Sequence, residues 1–117
     1  METITMSTTC FIEYKIDPYK LDKFKQYAKN WGEIIPNCGG DLIGYFLPHE
    51  GSNYIAYALI RFNSLAHYEK YREKLKEDKA GKHNFEFAQT HKFIIEEKRS
   101  FLKVETGTYQ QPPLVNL

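Results

Sequence analysis

The chain has 117 residues, 42% of them hydrophobic and 26% charged, which points to a single globular domain and argues against a disordered chain. Its 16 basic and 15 acidic side chains leave a net charge of +1, with no electrostatic basis for broad nucleic-acid binding. The aromatic share is high, with nine Tyr, eight Phe and one Trp.

Met1–Thr9 has neither a basic start nor an apolar core, so no secretory signal is expected there. Met6 is a candidate alternative start, since the patterned part begins just after it. Residues 8–16 alternate, with Cys10, Ile12, Tyr14 and Ile16 on one side and Glu13 and Lys15 on the other. That spacing predicts a half-buried strand. Asp17-Pro18 then starts a helix, with a capping carboxylate and Pro at its first position. Leu21, Phe24, Tyr27, Ala28, Trp31, Ile34 and Ile35 recur at helical spacing and form one apolar stripe. Pro36 and Gly39-Gly40 end it.

Residues 41–48 and 54–62 read as a hairpin around the turn His49–Asn53. Asn63-Ser64 caps a second helix over 65–77, with Leu65, Tyr68, Tyr71, Arg72 and Leu75 on one side. Gly81 reads as a break, followed by a third helix near 84–97 that carries Phe87, Ala88, His91, Ile94 and Ile95. Residues 99–105 read as a fourth strand, and residues 108–117 as a Pro-containing tail after a single domain over 1–107. The longest apolar run, Tyr54–Ile60, is too short to cross a bilayer. Cys10 and Cys38 lack CxxC spacing and are expected to be reduced, in keeping with a cytoplasmic location.

The element order is βαββα(α)β. It predicts an α+β, ferredoxin-like fold: a four-stranded antiparallel sheet with its helices on one face. Simple alternation puts Leu42 and Phe46 on one face of the second strand and Ile43, Tyr45 and Leu47 on the other. Both faces are therefore apolar, and helices cover only one. Burial is worth roughly 25 cal/mol per Å², so the uncovered face predicts a homodimer with two sheets packed face to face.

Signals for chemistry are sparse. His49, His67, His83 and His91 form no i,i+4 pair, and neither cysteine has a ligand-spaced partner, so no metal site is expected. No P-loop, GxGxxG or GxSxG occurs. Lys70-Tyr71-Arg72 and Lys92-Phe93 mix bases with rings, but acids alongside cancel the charge and the rings fall on apolar stripes, so nucleic acid is not an expected partner. The polar candidates for a ligand pocket are Tyr57, Arg61, His91 and His49. Arg61 interrupts an apolar strand, and a buried guanidinium there needs a partner: Glu97, Glu13 or an anionic ligand. Tyr57 shares its parity. Tyr14, Tyr45 and Trp31 either line the pocket or fill the core.

Phe11–Pro18, Gly39–Gly51, Ala58–Phe62 with Ser64-Leu65-Ala66, Phe93–Glu97 and Arg99–Leu102 together resemble the NIPSNAP family, in particular its small single-domain bacterial members. The likeness spans roughly residues 9–104, with Gly39–Gly51 its most specific part. The chain departs at the hairpin's second strand, where many members carry a Trp and this sequence has Leu59 or Ile60. The resemblance implies a dimeric α/β barrel. The wider superfamily includes cofactor-independent monooxygenases, lactone isomerases, dye-decolourising peroxidases and haem-dependent chlorite dismutases, and fold likeness carries none of these activities over.

Three readings compete. The first is a homodimeric barrel that binds a small, partly apolar molecule between sheet and helices, with no cofactor. The second is cofactor-independent monooxygenase or isomerase chemistry in the same pocket, with a His or Tyr moving a proton. The third is a ligand-free interaction module. Haem enters only through His91 as a conceivable axial ligand, with nothing but the fold behind it.

Overall fold

The computed structural model describes residues 7–108. The alternative start at Met6 lies outside them, as does all of the expected tail except Thr108. The elements are β1 (Thr8–Ile16), a 3-10 turn (Pro18–Lys20), α1 (Leu21–Asn37), β2 (Asp41–Phe46), β3 (Ile55–Phe62), α2 (Leu65–Glu77), α3 (Lys79–His91) and β4 (Ile94–Leu102). The four strands form one antiparallel sheet in the order β2-β3-β1-β4. This is the α+β ferredoxin-like arrangement that the element order predicts. No helix among the described residues is long and apolar enough to cross a membrane.

The core forms where the patterns of β1 and α1 meet. Cys10, Ile12, Tyr14 and Ile16 are buried, and opposite them on β3 so are Ala56, Ala58, Ile60 and Phe62. Phe24, Tyr27, Ala28, Trp31, Ile34 and Ile35 of α1 pack on this face. The Asp17 side chain accepts from the Tyr19 N–H at 3.0 Å, and Gly39 ends α1 beyond Cys38 with a φ of +104°. The small Ala56 and Ala58 leave room for the rings that cross the sheet from α1 and β2.

Three features depart most from the sequence pattern. The third helix runs over Lys79–His91, not 84–97. Asp78 starts it early, its carboxylate accepting from the Gly81 N–H at 2.9 Å. Gly81 serves packing instead of a break: a Cβ there would meet the Leu75 carbonyl at 3.1 Å, so its bareness lets α3 approach α2. The helix stops because Lys92 turns left-handed, with a φ of 52°, and sends Phe93 into the core. β4 consequently starts at Ile94, which with Ile95 lies on a strand and not on a helix face.

The third difference is a β-bulge in β2 between Leu42 and Gly44. The extra residue, Ile43, resets the parity. Leu42 lies opposite Ile60 and Tyr45 opposite Ala58, so both face the helices, while Phe46 lies opposite Tyr57 on the uncovered face. The alternation that grouped Leu42 with Phe46 is corrected accordingly.

A tyrosine-lined cavity as candidate functional site

A cavity lies between the helix-facing side of the sheet and the helices. Its floor is Cys10, Ile12 and Tyr14 of β1 with Ile60 of β3 and Tyr45 of β2. Tyr27, Trp31 and Ile35 of α1 form one wall, Tyr68, Tyr71, Arg72 and Leu75 of α2 another. Phe85 of α3 and Arg99 of β4 stand at the rim. The free space is about 30 Å³, room for about two waters.

Two polar groupings mark it. At the floor, the Tyr14 and Tyr45 hydroxyls share a hydrogen bond of 3.0 Å, with their rings stacked at 5.9 Å. β1 supplies one partner and the bulged β2 the other, so the bulge makes the pair. At the rim, the Arg99 guanidinium donates to the Tyr68 hydroxyl at 3.2 Å and pairs with Glu97. Glu97 and Arg99 lie opposite Tyr14 and Ile12 of β1, which turns both side chains toward the helices.

Burial, above all, holds the Tyr14 and Tyr45 hydroxyls well above the usual phenol range. It also pushes Tyr27 up to about 12 and raises Tyr71. Burial works against the Arg99 charge, but the Tyr68 hydroxyl and Glu97 outweigh it and keep the guanidinium protonated. At neutral pH these phenols are therefore hydrogen-bonding groups and not bases. No histidine lines the cavity. Among the described residues no group of three His, Cys, Asp or Glu is arranged to hold a metal. Cys10 and Cys38 are both free and buried.

The candidates named from sequence are dispersed. Tyr45 and Trp31 line the cavity. Tyr57 and Arg61 lie on the opposite, uncovered side of the sheet, because their neighbours Ala58 and Ile60 face the core. Arg61 pairs with Asp41, directly across from it on β2, with Nη2 and Nε donating to Oδ2 at 2.7 and 2.9 Å. This corrects the expected Glu97 or Glu13, and with its side chain 37% exposed Arg61 is not the buried guanidinium its strand position suggested. His49 is exposed beyond the end of β2. His91 closes α3, its ring packed on Phe87 at 4.7 Å and its carbonyl accepting from Lys20 Nζ at 2.7 Å.

Arg72, Arg99, Tyr27, Tyr68 and Tyr71 were absent from the sequence-based candidates. Arg72 did carry a signal, an arginine on the apolar side of its helix. Arg99 carried a weaker one, alternating with Glu97 and Phe101 along a strand.

A larger groove of about 380 Å³ runs between α1 and α3. Its two asparagines bond to the protein: Asn30 donates to Asn84 Oδ1 at 2.8 Å, and Asn84 donates to the Tyr27 carbonyl at 3.1 Å. Those bonds tie two helices together, and Glu33 and His83 also line the groove.

The NIPSNAP family model matches residues 9–106. The chain belongs to the NIPSNAP family. Solved NIPSNAP structures share its fold at low identity. An uncharacterised NIPSNAP-like protein from Burkholderia xenovorans is similar over 96% of this chain and 97% of its own, with a TM-score of 0.75 at 19% identity. A NIPSNAP protein of unknown function from Agrobacterium tumefaciens gives a TM-score of 0.77 at 17% identity, covering 92% of this chain and 96% of its own. A Nitrosomonas europaea protein, provisionally named an antibiotic biosynthesis monooxygenase, gives 0.65 at 11% identity, covering 93% and 100%. At these identities the likeness concerns fold alone. No curated relative matches the chain.

Proposed function

We propose that this NIPSNAP protein is a homodimeric α/β barrel that binds a small, partly apolar molecule between its sheet and its helices. The observation that carries the reading is the convergence of paired tyrosine hydroxyls and an arginine on one ring-lined cavity. A cavity walled only by packed hydrophobics would favour the ligand-free interaction module instead. Oxygenase or isomerase chemistry needs a base at the substrate, and the phenols here are held protonated with no histidine beside them. Binding is therefore the reading the geometry favours. Two free, buried thiols suit a reducing cytoplasmic setting. The family match through residue 106 supports the domain boundary near 107.

The dimer is supported by the uncovered side of the sheet. Phe11 and Tyr57 stack there at 5.5 Å, and Phe46 and Leu102 are 48% and 47% exposed. Beside them Thr9, Ile43, Leu59 and Val104, with Arg61 and Lys103, line a mostly apolar hollow of about 250 Å³ that a partner's side chains can fill. Lys15, paired with Glu96 at 3.4 Å, together with Glu13 and Lys98, makes the other end polar. The patch thus has an apolar centre and a charged rim, as interfaces do.

A thermal-shift screen of the full chain with phenols, quinones, fatty acids and haem tests the binding reading. A ligand at about a hundred times its Kd adds about 2.7 kcal/mol, on the order of 10 °C in Tm for a domain this small. At least one apolar class bearing a polar group is expected to reach that range. No shift with any class contradicts the reading.

A further inference from the structure

We propose that the polar end of the bound molecule is a carboxylate, held between the Arg72 and Arg99 guanidiniums. This rests on the binding reading of the same cavity and specifies its ligand class.

The two arginines come from different elements, α2 and β4, and both line the cavity. Cys10 lines the same cavity, where burial pushes its thiol up and both guanidiniums pull against the rise. One carboxylate, Glu97, faces them, and it is engaged with Arg99. Arg72 is only partly exposed, yet it makes no hydrogen bond or ion pair among the described residues. Its guanidinium nitrogens keep contact with water and have no protein partner among the described residues, so their five N–H donors, set in a planar fork, are open to a ligand at this ring-lined space.

The shape of the space points to a carboxylate. The fork matches two oxygens in a plane, and such pairs are roughly twice as strong as neutral hydrogen bonds. The enclosed volume of about 30 Å³ holds such a group and little more. The body of the molecule then lies against the exposed ring of Phe85, which packs edge to face on the buried Trp31 at 5.0 Å. An aromatic or similarly compact carboxylic acid fits this layout.

Calorimetric titration of the full chain with phenylacetate and with phenylacetamide, matched in shape and different in charge, tests the proposal. Phenylacetate is expected to bind at least about tenfold more tightly. Arg72→Gln is expected to cut that preference to about twofold or less, and Arg72→Lys to keep only part of it, because Lys retains the charge without the fork. Arg72 makes no structural bond, so both variants are expected to keep the parent Tm, and agreement between them guards against a folding artefact. Equal binding of the two probes overturns the carboxylate assignment and leaves the binding reading standing. A preference that survives Arg72→Gln overturns the assignment to Arg72. Failure of both probes to bind, at millimolar concentration, overturns the proposal and counts against the cavity as a binding site as well.

Discussion

Phe24→Ala is expected to destabilise the fold by about 3–5 kcal/mol, a large share of the roughly 5–15 kcal/mol that holds a domain of this size together. Phe24 is 0% exposed and sits at the junction of three elements. Its ring meets Tyr14 of β1 at 5.1 Å, Tyr27 of its own helix at 5.8 Å, and Phe93, at the turn into β4, at 6.1 Å. Tyr45 of β2 lies 6.2 Å away. Removing the ring leaves a void that these bulky, stiff neighbours cannot close, so the cavity cost adds to the lost burial. The same void loosens the Tyr14–Tyr45 pair, because Phe24 packs against both rings. Urea denaturation reads the effect as a lower midpoint at unchanged m-value. Tyr19, 95% exposed, is the control, and its Ala variant is expected to stay within about 0.5 kcal/mol of the parent. A loss below about 1 kcal/mol for Phe24→Ala contradicts this account of the core.

Leu59→Glu is expected to convert a dimer into a folded monomer. Leu59 lies at the middle of the uncovered face, across from Phe11 on β1 and Gly44 on β2. In a face-to-face dimer a twofold axis brings the same patch against itself, so one substitution puts two carboxylates into one apolar contact. Burying an unpaired charge costs several kcal/mol, enough to dissociate a contact of ordinary strength at micromolar concentration. In the separate chain the new carboxylate points to water, so the fold is spared. Sedimentation equilibrium is expected to give twice the chain mass of 13.8 kDa for the parent and the single mass for the variant, with unchanged circular dichroism. A monomeric parent at micromolar concentration contradicts the dimer, and so does a variant that stays dimeric.

How far the sequence was legible depends on whether a pattern records one face or two. β1 and α1 each bury a single face, so the alternation from Cys10 to Ile16 and the stripe from Phe24 to Ile35 translate directly into structure. β2 is apolar on both sides, and period-2 reading has no polar residue to expose a slip. The bulge at Ile43 therefore passes unseen, although Gly44 within a strand was a hint. Ile94 and Ile95 fit helical spacing from Phe87 equally well, and only the left-handed turn at Lys92, unusual for a non-glycine residue, separates helix from strand.

The site was less legible for a related reason. Arg61 and Tyr57 drew attention because they interrupt or share an apolar strand, but parity cannot say which face the helices cover. The covered face is the one bearing Ala56 and Ala58. Arg72 and Arg99 are 27 residues apart in sequence and are brought together only because α2 crosses above the sheet toward the edge strand β4. The Tyr14–Tyr45 hydrogen bond likewise joins residues 31 apart through the bulge. Such pairs depend on tertiary packing, which spacing along one element does not record.

Residue-by-residue chemical-shift mapping of the full chain during titration with phenylacetate tests the central claim most directly. The account predicts that the largest perturbations fall on the Trp31 indole, on Tyr68–Leu75 of α2 and on Glu97–Phe101 of β4, which surround the tyrosine cavity. Perturbations centred instead on Tyr57–Arg61 or His49, or the absence of any saturable shift, would contradict it.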